Sequence, residues 1–185
     1  MAKKITPICN FGEPAKPFNL IGTDGKYYSL ENFEGHRALV VMFICNHCPY
    51  VKAILPRLID DSRHLMQQDI GVVAICSNDA VHYPEDSYEN MQTLATHQHF
   101  PFPYLWDETQ AVAKAYGAVC TPDFFGYNSD LLLQYRGRLD ESGIHPASPK
   151  ANRELVSAMQ LISETGIGPV EQMASMGCSI KWHER

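Results

Sequence analysis

The stretch Ala38-Leu39-Val40-Val41-Met42-Phe43-Ile44-Cys45-Asn46-His47-Cys48-Pro49 decides how this chain folds. Its first seven residues are continuous and apolar, the pattern of a central strand covered on both faces. Pro49 suits the first position of a helix, where its missing N–H costs little. Beyond it Val51, Ile54, Leu55, Leu58 and Leu65 recur on one helical face. Pro56, inside that periodic run, predicts a kink. The segment Cys45-Asn46-His47-Cys48 therefore sits where a buried strand gives way to a helix.

Two thiols at such a junction carry specific chemistry. The first turn of a helix has unpaired N–H groups and the positive end of the helix dipole. A thiolate held there falls from a pKa of ~8.5 toward ~3.5–7.5 and becomes nucleophilic near neutral pH. A second thiol within reach attacks the resulting mixed disulfide or sulfenic acid and closes an internal disulfide. His47, between the two, favours the thiolate if protonated, or else points into solvent. The structural alternative is a small apolar Cys45 ending a strand beside an incidental Cys48. A third reading is metal: Cys45, His47 and Cys48, with Cys120 or Cys178, make up a tetrahedral ligand set. No second closely spaced ligand pair accompanies them, which weighs against a zinc site.

Outward from this segment, strand-like and helix-like runs alternate, the signature of an α/β layered fold. Ile70 to Cys76 reads as a second buried strand, and Glu85 to His97 as a helix carrying Tyr88, Met91 and Leu94. Asp107 and Gln110 resemble a capping box that opens a short helix closing at Gly117. Phe124 to Tyr127 and Leu131 to Arg136 read as two strands joined by a turn at Asn128-Ser129-Asp130. Ser148-Pro149 predicts the start of a last helix with Leu155, Met159 and Ile162. From Gly166 onward the sequence has no clear period.

Composition sets the class. Of 185 residues, 45% are hydrophobic and 19% charged, an ordinary globular balance. The net charge of −6 argues against a nucleic-acid backbone or an anionic membrane as partner. The first residues are basic but lack the apolar stretch of a signal peptide. The seven-residue apolar run from Ala38 to Ile44 is too short to span a bilayer. The expectation is a cytoplasmic protein, in which the six cysteines are free, buried, catalytic or metal-bound rather than a disulfide framework.

Three segments carry a family resemblance: Phe43 to Pro56, Trp106-Asp107 to Tyr116-Gly117, and Cys120-Thr121-Pro122-Asp123-Phe124-Phe125. Together they resemble the thioredoxin superfamily, closest to its redoxin branch of alkyl hydroperoxide reductase and thiol-specific antioxidant proteins. The likeness runs from about Gly12 to about Arg138. It implies an α/β thioredoxin-like fold, a central mixed β-sheet with helices on both faces. The length itself fits one domain over residues 1–185, with a C-terminal tail from about 166. The resemblance also implies a cis Pro122 beside the active-site thiols, with Thr121 and Cys120 next to it.

The register departs from the family's pattern. In thioredoxins the nucleophilic cysteine stands eight residues before the kinking proline, and eight before Pro56 is Cys48. Val51 then replaces the usual second cysteine. The same alignment puts Cys48 at the peroxidatic position of peroxiredoxins and Cys45 where a peroxide-positioning threonine or serine normally stands. The expected function is thiol–disulfide exchange by a Cys45/Cys48 pair, with Cys48 as nucleophile, Cys45 as resolving partner, and those roles exchangeable. Replacing Cys48 by serine is expected to abolish turnover, and replacing Cys45 to leave a trapped intermediate. The alternative is a peroxiredoxin-like thiol peroxidase with Cys48 as the peroxidatic cysteine. A Cys/His metal-binding module or a redox-inactive interaction protein are the readings of other classes. The redox chemistry needs no organic cofactor; it needs a disulfide or peroxide substrate and a thioredoxin-type or small-thiol reductant.

Other residues are weaker candidates. Cys120 lines the substrate groove or resolves a disulfide, unless it simply packs, as free cysteines often do. Cys178 forms a second disulfide or ligates metal if the tail folds back; otherwise Ile180 and Trp182 anchor that tail. Arg136 is a candidate for the arginine that stabilises the thiolate in peroxiredoxins, against the solvated placement usual for arginine.

Overall fold

The computed structural model describes residues 2–148 and 150–184. Its strands are β1 (Lys3–Ile5), β2 (Asn19–Gly22), β3 (Tyr27–Ser29), β4 (Ala38–Phe43), β5 (Ile70–Cys76), β6 (Tyr104–Trp106), β7 (Cys120–Thr121), β8 (Asp123–Asn128), β9 (Leu133–Tyr135) and β10 (Met176–Ser179). Its α-helices are α1 (Pro49–Met66), α2 (Tyr88–His97), α3 (Ala111–Tyr116) and α4 (Glu154–Thr165). Seven strands form a central sheet in the order β3-β2-β6-β5-β4-β8-β9, and β1-β10-β7 form a second, small sheet. The central sheet is mixed: β4 runs parallel to β5 and antiparallel to β8.

β4 and β5 are buried at every position, as continuous apolar runs require. Because side chains alternate along a strand, Ala38, Val40 and Met42 join one core with Leu58 of α1, Met91 of α2 and Met159 of α4. Leu39, Val41 and Phe43 join the other, with Val112 and Tyr116 of α3 and with Leu30 and Phe33 of a short 3-10 turn. Helices thus cover both faces, the arrangement implied by the resemblance. No helix of the described residues is long and apolar enough to cross a membrane.

Several expected boundaries shift for local reasons. The run from Glu85 splits: Pro84–Asp86 is a 3-10 turn, and α2 starts only after Ser87, whose Oγ accepts from the Asn90 N–H at 3.3 Å. Asp86 faces inward and is bound elsewhere. Asp107 does cap α3, accepting from the Val112 and Ala113 N–H groups. Gln110 does not complete a capping box. It sits in the left-handed region (φ 63) and donates to the Ser77 and Lys181 carbonyls, and its Oε1 accepts from the His183 N–H. Gly117 ends α3 with φ 64, as a helix-closing glycine does.

The strand expected from Leu131 begins at Leu133, since Leu131 has φ 57 and the Asn128 side chain accepts from the Asp130 and Leu132 N–H groups. The last helix starts at Glu154 rather than at Ser148, while Pro149 lies outside the described residues. The Ser148 oxygens hold a local turn with Lys150 and Ala151 instead. Ion pairs from Arg57 to Asp140 and from Arg153 to Asp61 fasten the flanks of that segment to α1.

The tail is ordered by pairing. β10 lies antiparallel between β1 and β7, matching Cys178 to Lys3 on one side and to Thr121 on the other. Gly177 permits this: a Cβ there would stand 2.0 Å from the Thr121 carbonyl oxygen.

Candidate functional site

α1 opens at Cys48, its N-cap residue, followed by Pro49. That placement puts the Cys48 sulfur at the positive end of an 18-residue helix. β4 leads directly into Cys45, so both thiols are fixed by the most deeply buried elements of the fold. Across from them the chain passes from β7 through Pro122, on a cis Thr121–Pro122 bond, into β8. As a thiol, Cys48 donates to the Thr121 carbonyl at 3.1 Å, while Cys45 and the Thr121 hydroxyl share a hydrogen bond of 3.3 Å. Cys45, Cys48 and Thr121 are all buried.

The two sulfurs titrate in opposite directions. Cys48 is drawn down to about 4, chiefly because the Cys45 thiol donates to it. Burial opposes that fall, and the Val51 N–H, the Cys178 thiol and Thr121 add to it. Cys45 is pushed well above the usual thiol range by the same hydrogen bond, by burial and by the charge of Asp86. Ionisation is thus favoured at Cys48 and opposed at Cys45.

Asp86, fully buried, organises the turn between them. One of its oxygens accepts from the Asn46 and His47 N–H groups at 2.7 and 3.2 Å. The other meets His47 Nδ1 at 2.6 Å and accepts from Asn78 Nδ2 at 2.7 Å. His47 consequently neither points into solvent nor turns to Cys48; its ring stacks on Tyr83 at 5.4 Å between centroids. Tyr104 donates to the Asn46 side chain at 2.9 Å and completes the support. None of these supporting groups carries a local sequence signal. Asp86 lies about forty residues beyond the thiols, and its neighbours Pro84 and Glu85 read only as a helix start.

Cys178 is brought to the site and Arg136 is not. Cys178 joins the buried cluster that holds Cys48; burial foremost pushes its thiol up to about 11, the Cys48 sulfur adds to the rise, and Lys181 pulls it down. Cys120 packs against the Pro122 carbonyl at 3.5 Å, and burial pushes its thiol up as well. Arg136 is buried rather than solvated. It forms an ion pair with Asp123 at 2.9 Å, donates to the Gly117 carbonyl at 2.8 Å and stacks on Phe125. It has no contact with Cys48 that would stabilise a thiolate.

Among the described residues, one set of three metal-type ligands lies within 4.8 Å of one another: Cys45, His47 and Asp86. This differs from the sequence-based set, because Cys48 and Cys178 do not join it. Asp86 is engaged by four hydrogen bonds, one of them with His47 Nδ1, and Cys45 by Thr121, while His47 Nε2 is buried without a partner. A cavity of ≈ 370 Å³ opens beside Pro122, lined by Tyr50, Ile54, Phe124, Ser175 and Met176 among others.

A strand-to-helix turn bearing two buried thiols, faced by a cis-proline loop on a mixed sheet, defines a thioredoxin-fold thiol protein. The chain belongs to the AhpC/TSA family, whose model matches residues 11–142. Two solved structures match it over its full length. An uncharacterized conserved protein from Geobacillus kaustophilus is 43% identical, with a TM-score of 0.93 over 98% of that chain. A hypothetical protein from Sinorhizobium meliloti is 34% identical, with a TM-score of 0.90 over 100% of that chain. A thiol:disulfide interchange protein from Chlorobium tepidum shares the fold at 16% identity and a TM-score of 0.63, covering 82% of this chain and 97% of that one. No curated protein matches the sequence.

Proposed function

We propose that this protein is a thiol–disulfide oxidoreductase in which Cys48 is the nucleophile and Cys45 its resolving partner. The observation that carries this reading is geometric: Cys48 caps the N-terminus of α1, Cys45 stands three residues before it, and both sulfurs bond Thr121 beside the cis Pro122. Cys48 thiolate attacks one sulfur of a substrate disulfide, forms a mixed disulfide and expels the other sulfur as thiolate. The Cys45 sulfur, having given up its proton, then attacks Cys48 and closes the Cys45–Cys48 disulfide while the second substrate thiol leaves. A thioredoxin-type or small-thiol reductant returns both thiols. The cavity beside Pro122 offers room for the substrate.

Family membership favours a second reading, in which Cys48 attacks a peroxide oxygen and becomes a sulfenic acid that Cys45 condenses with, releasing water. Thr121 brings a hydroxyl to the site, but its hydrogen bond is to Cys45. The metal reading receives less support, because Asp86 and His47 already bond each other and Cys45 bonds Thr121.

The test is peptide mapping of the reduced protein after one equivalent of hydrogen peroxide or of oxidised glutathione, with alkylation of all six cysteines. A Cys45–Cys48 link reversed by a dithiol reductant is expected with glutathione, and Cys48→Ser is expected to abolish turnover. Faster reaction with peroxide than with the disulfide transfers the assignment to the peroxidase reading. A Cys48 that neither reagent modifies overturns both.

A further inference from the structure

We propose that Cys178, on the tail strand β10, is a second resolving thiol for Cys48, distinct from Cys45. The proposal rests on the reading of Cys48 as nucleophile. Strand register sets the placement: β10 pairs Cys178 with Thr121, the residue whose carbonyl accepts the Cys48 thiol at 3.1 Å. Cys48 and Cys178 lie in one buried cluster, and α1, which Cys48 opens, packs against β10. Gly177 holds β10 close enough for this, because no Cβ stands between it and the Thr121 carbonyl. Among the described residues, Cys45, Cys48 and Cys178 do not form a three-thiol cluster within 4.8 Å.

Cys45 and Cys178 differ in how readily they ionise, and a resolving sulfur must be a thiolate to attack. Cys45 faces the carboxylate of Asp86, which opposes its ionisation. Burial foremost and the Cys48 sulfur raise the Cys178 thiol to about 11, and the charge of Lys181 on its own segment partly offsets that rise. In the proposed step Cys48 bears a mixed disulfide, Cys48–S–S–R. The Cys178 thiolate attacks the Cys48 sulfur, the Cys48–Cys178 bond forms, and R–S⁻ departs and takes up a proton. If Cys48 is instead a sulfenic acid, Cys178 condenses with it and water leaves. Cys45 can then attack Cys48 and release Cys178 as a thiol, or a dithiol reductant restores both directly and is itself oxidised to a disulfide. Replacing Cys45 therefore traps the Cys48–Cys178 disulfide rather than the adduct.

The experiment uses full-length reduced protein treated with one equivalent of hydrogen peroxide or oxidised glutathione, then alkylated, digested and mapped. Wild type, Cys45→Ser, Cys178→Ser and the double variant are compared. Expected results are a Cys48–Cys178 peptide in the Cys45→Ser protein and a persistent sulfenic acid or glutathione adduct on Cys48 only in the double variant. If the Cys45→Ser protein carries that adduct while Cys178 remains fully alkylatable, the proposal is overturned and the role of Cys48 stands. If Cys48 stays a free thiol in every protein, the parent reading fails and this one with it. Wild type supplies a check independent of variant folding: a transient Cys48–Cys178 peptide at early times supports the proposal, and its absence at every time point counts against it.

Discussion

At the residue scale, the opposite titration of Cys45 and Cys48 has a direct consequence. An ordinary thiol ionises at ~8.5, whereas Cys48 ionises near 4 because Cys45, the Val51 N–H and Cys178 all donate to it. Thiolate grows as pH rises through the pKa, so it should already be complete at neutral pH. We expect ultraviolet thiolate absorbance, taken as wild type minus Cys48→Ser, to rise with a midpoint near pH 4. A midpoint near the ordinary thiol value would remove the electrostatic basis of the mechanism. The two cysteines were legible in the sequence because their spacing and strand-to-helix context are local. Asp86, which binds the turn between them, was not, since its role depends on four partners that only the tertiary structure gathers.

At the scale of elements, the sequence reading succeeds where burial is two-sided and fails where pairing is decided by a distant strand. β4, β5 and the start of α1 follow from continuous apolar runs and a proline. β10 reads Met-Gly-Cys-Ser, without a β-branched or aromatic residue, so propensity gives it no strand character. It is a strand because β1 and β7 flank it and Gly177 lets it approach Thr121. Gly177→Ala would put a methyl into the Thr121 carbonyl. We expect a loss of about 1–3 kcal/mol, in the range of overpacking a filled site, measured by denaturant unfolding. Hydrogen exchange should rise over β10 and leave β4 and β5 protected.

At the scale of the whole molecule, the Arg136–Asp123 pair fastens the strand that follows Pro122 to the end of β9. Asp123 is fully buried, and Arg136 nearly so. Breaking a buried ion pair from one side costs about 3–5 kcal/mol, because the remaining charge loses its partner. Arg136→Met should therefore lower stability by that amount in urea unfolding while leaving the Cys48 thiolate midpoint unchanged. A shift of that midpoint toward the ordinary thiol range would instead give Arg136 a part in the chemistry. The architecture was legible from the alternation of strand and helix patterns, but this tie was not, because arginine is exposed in most proteins and nothing local marks the exception.

The small sheet joins the first strand of the chain to the last, with Lys3 opposite Cys178. A ribosome delivers Cys45 and Cys48 more than a hundred residues before it delivers β10. During synthesis, then, β4 and α1 can form while the sulfur at the head of α1 has no lid. Contacts of such long sequence separation also form late in folding. For that interval the nascent polypeptide presents an uncovered thiol to its surroundings, until the Thr121 loop and then the final strand arrive to bury it.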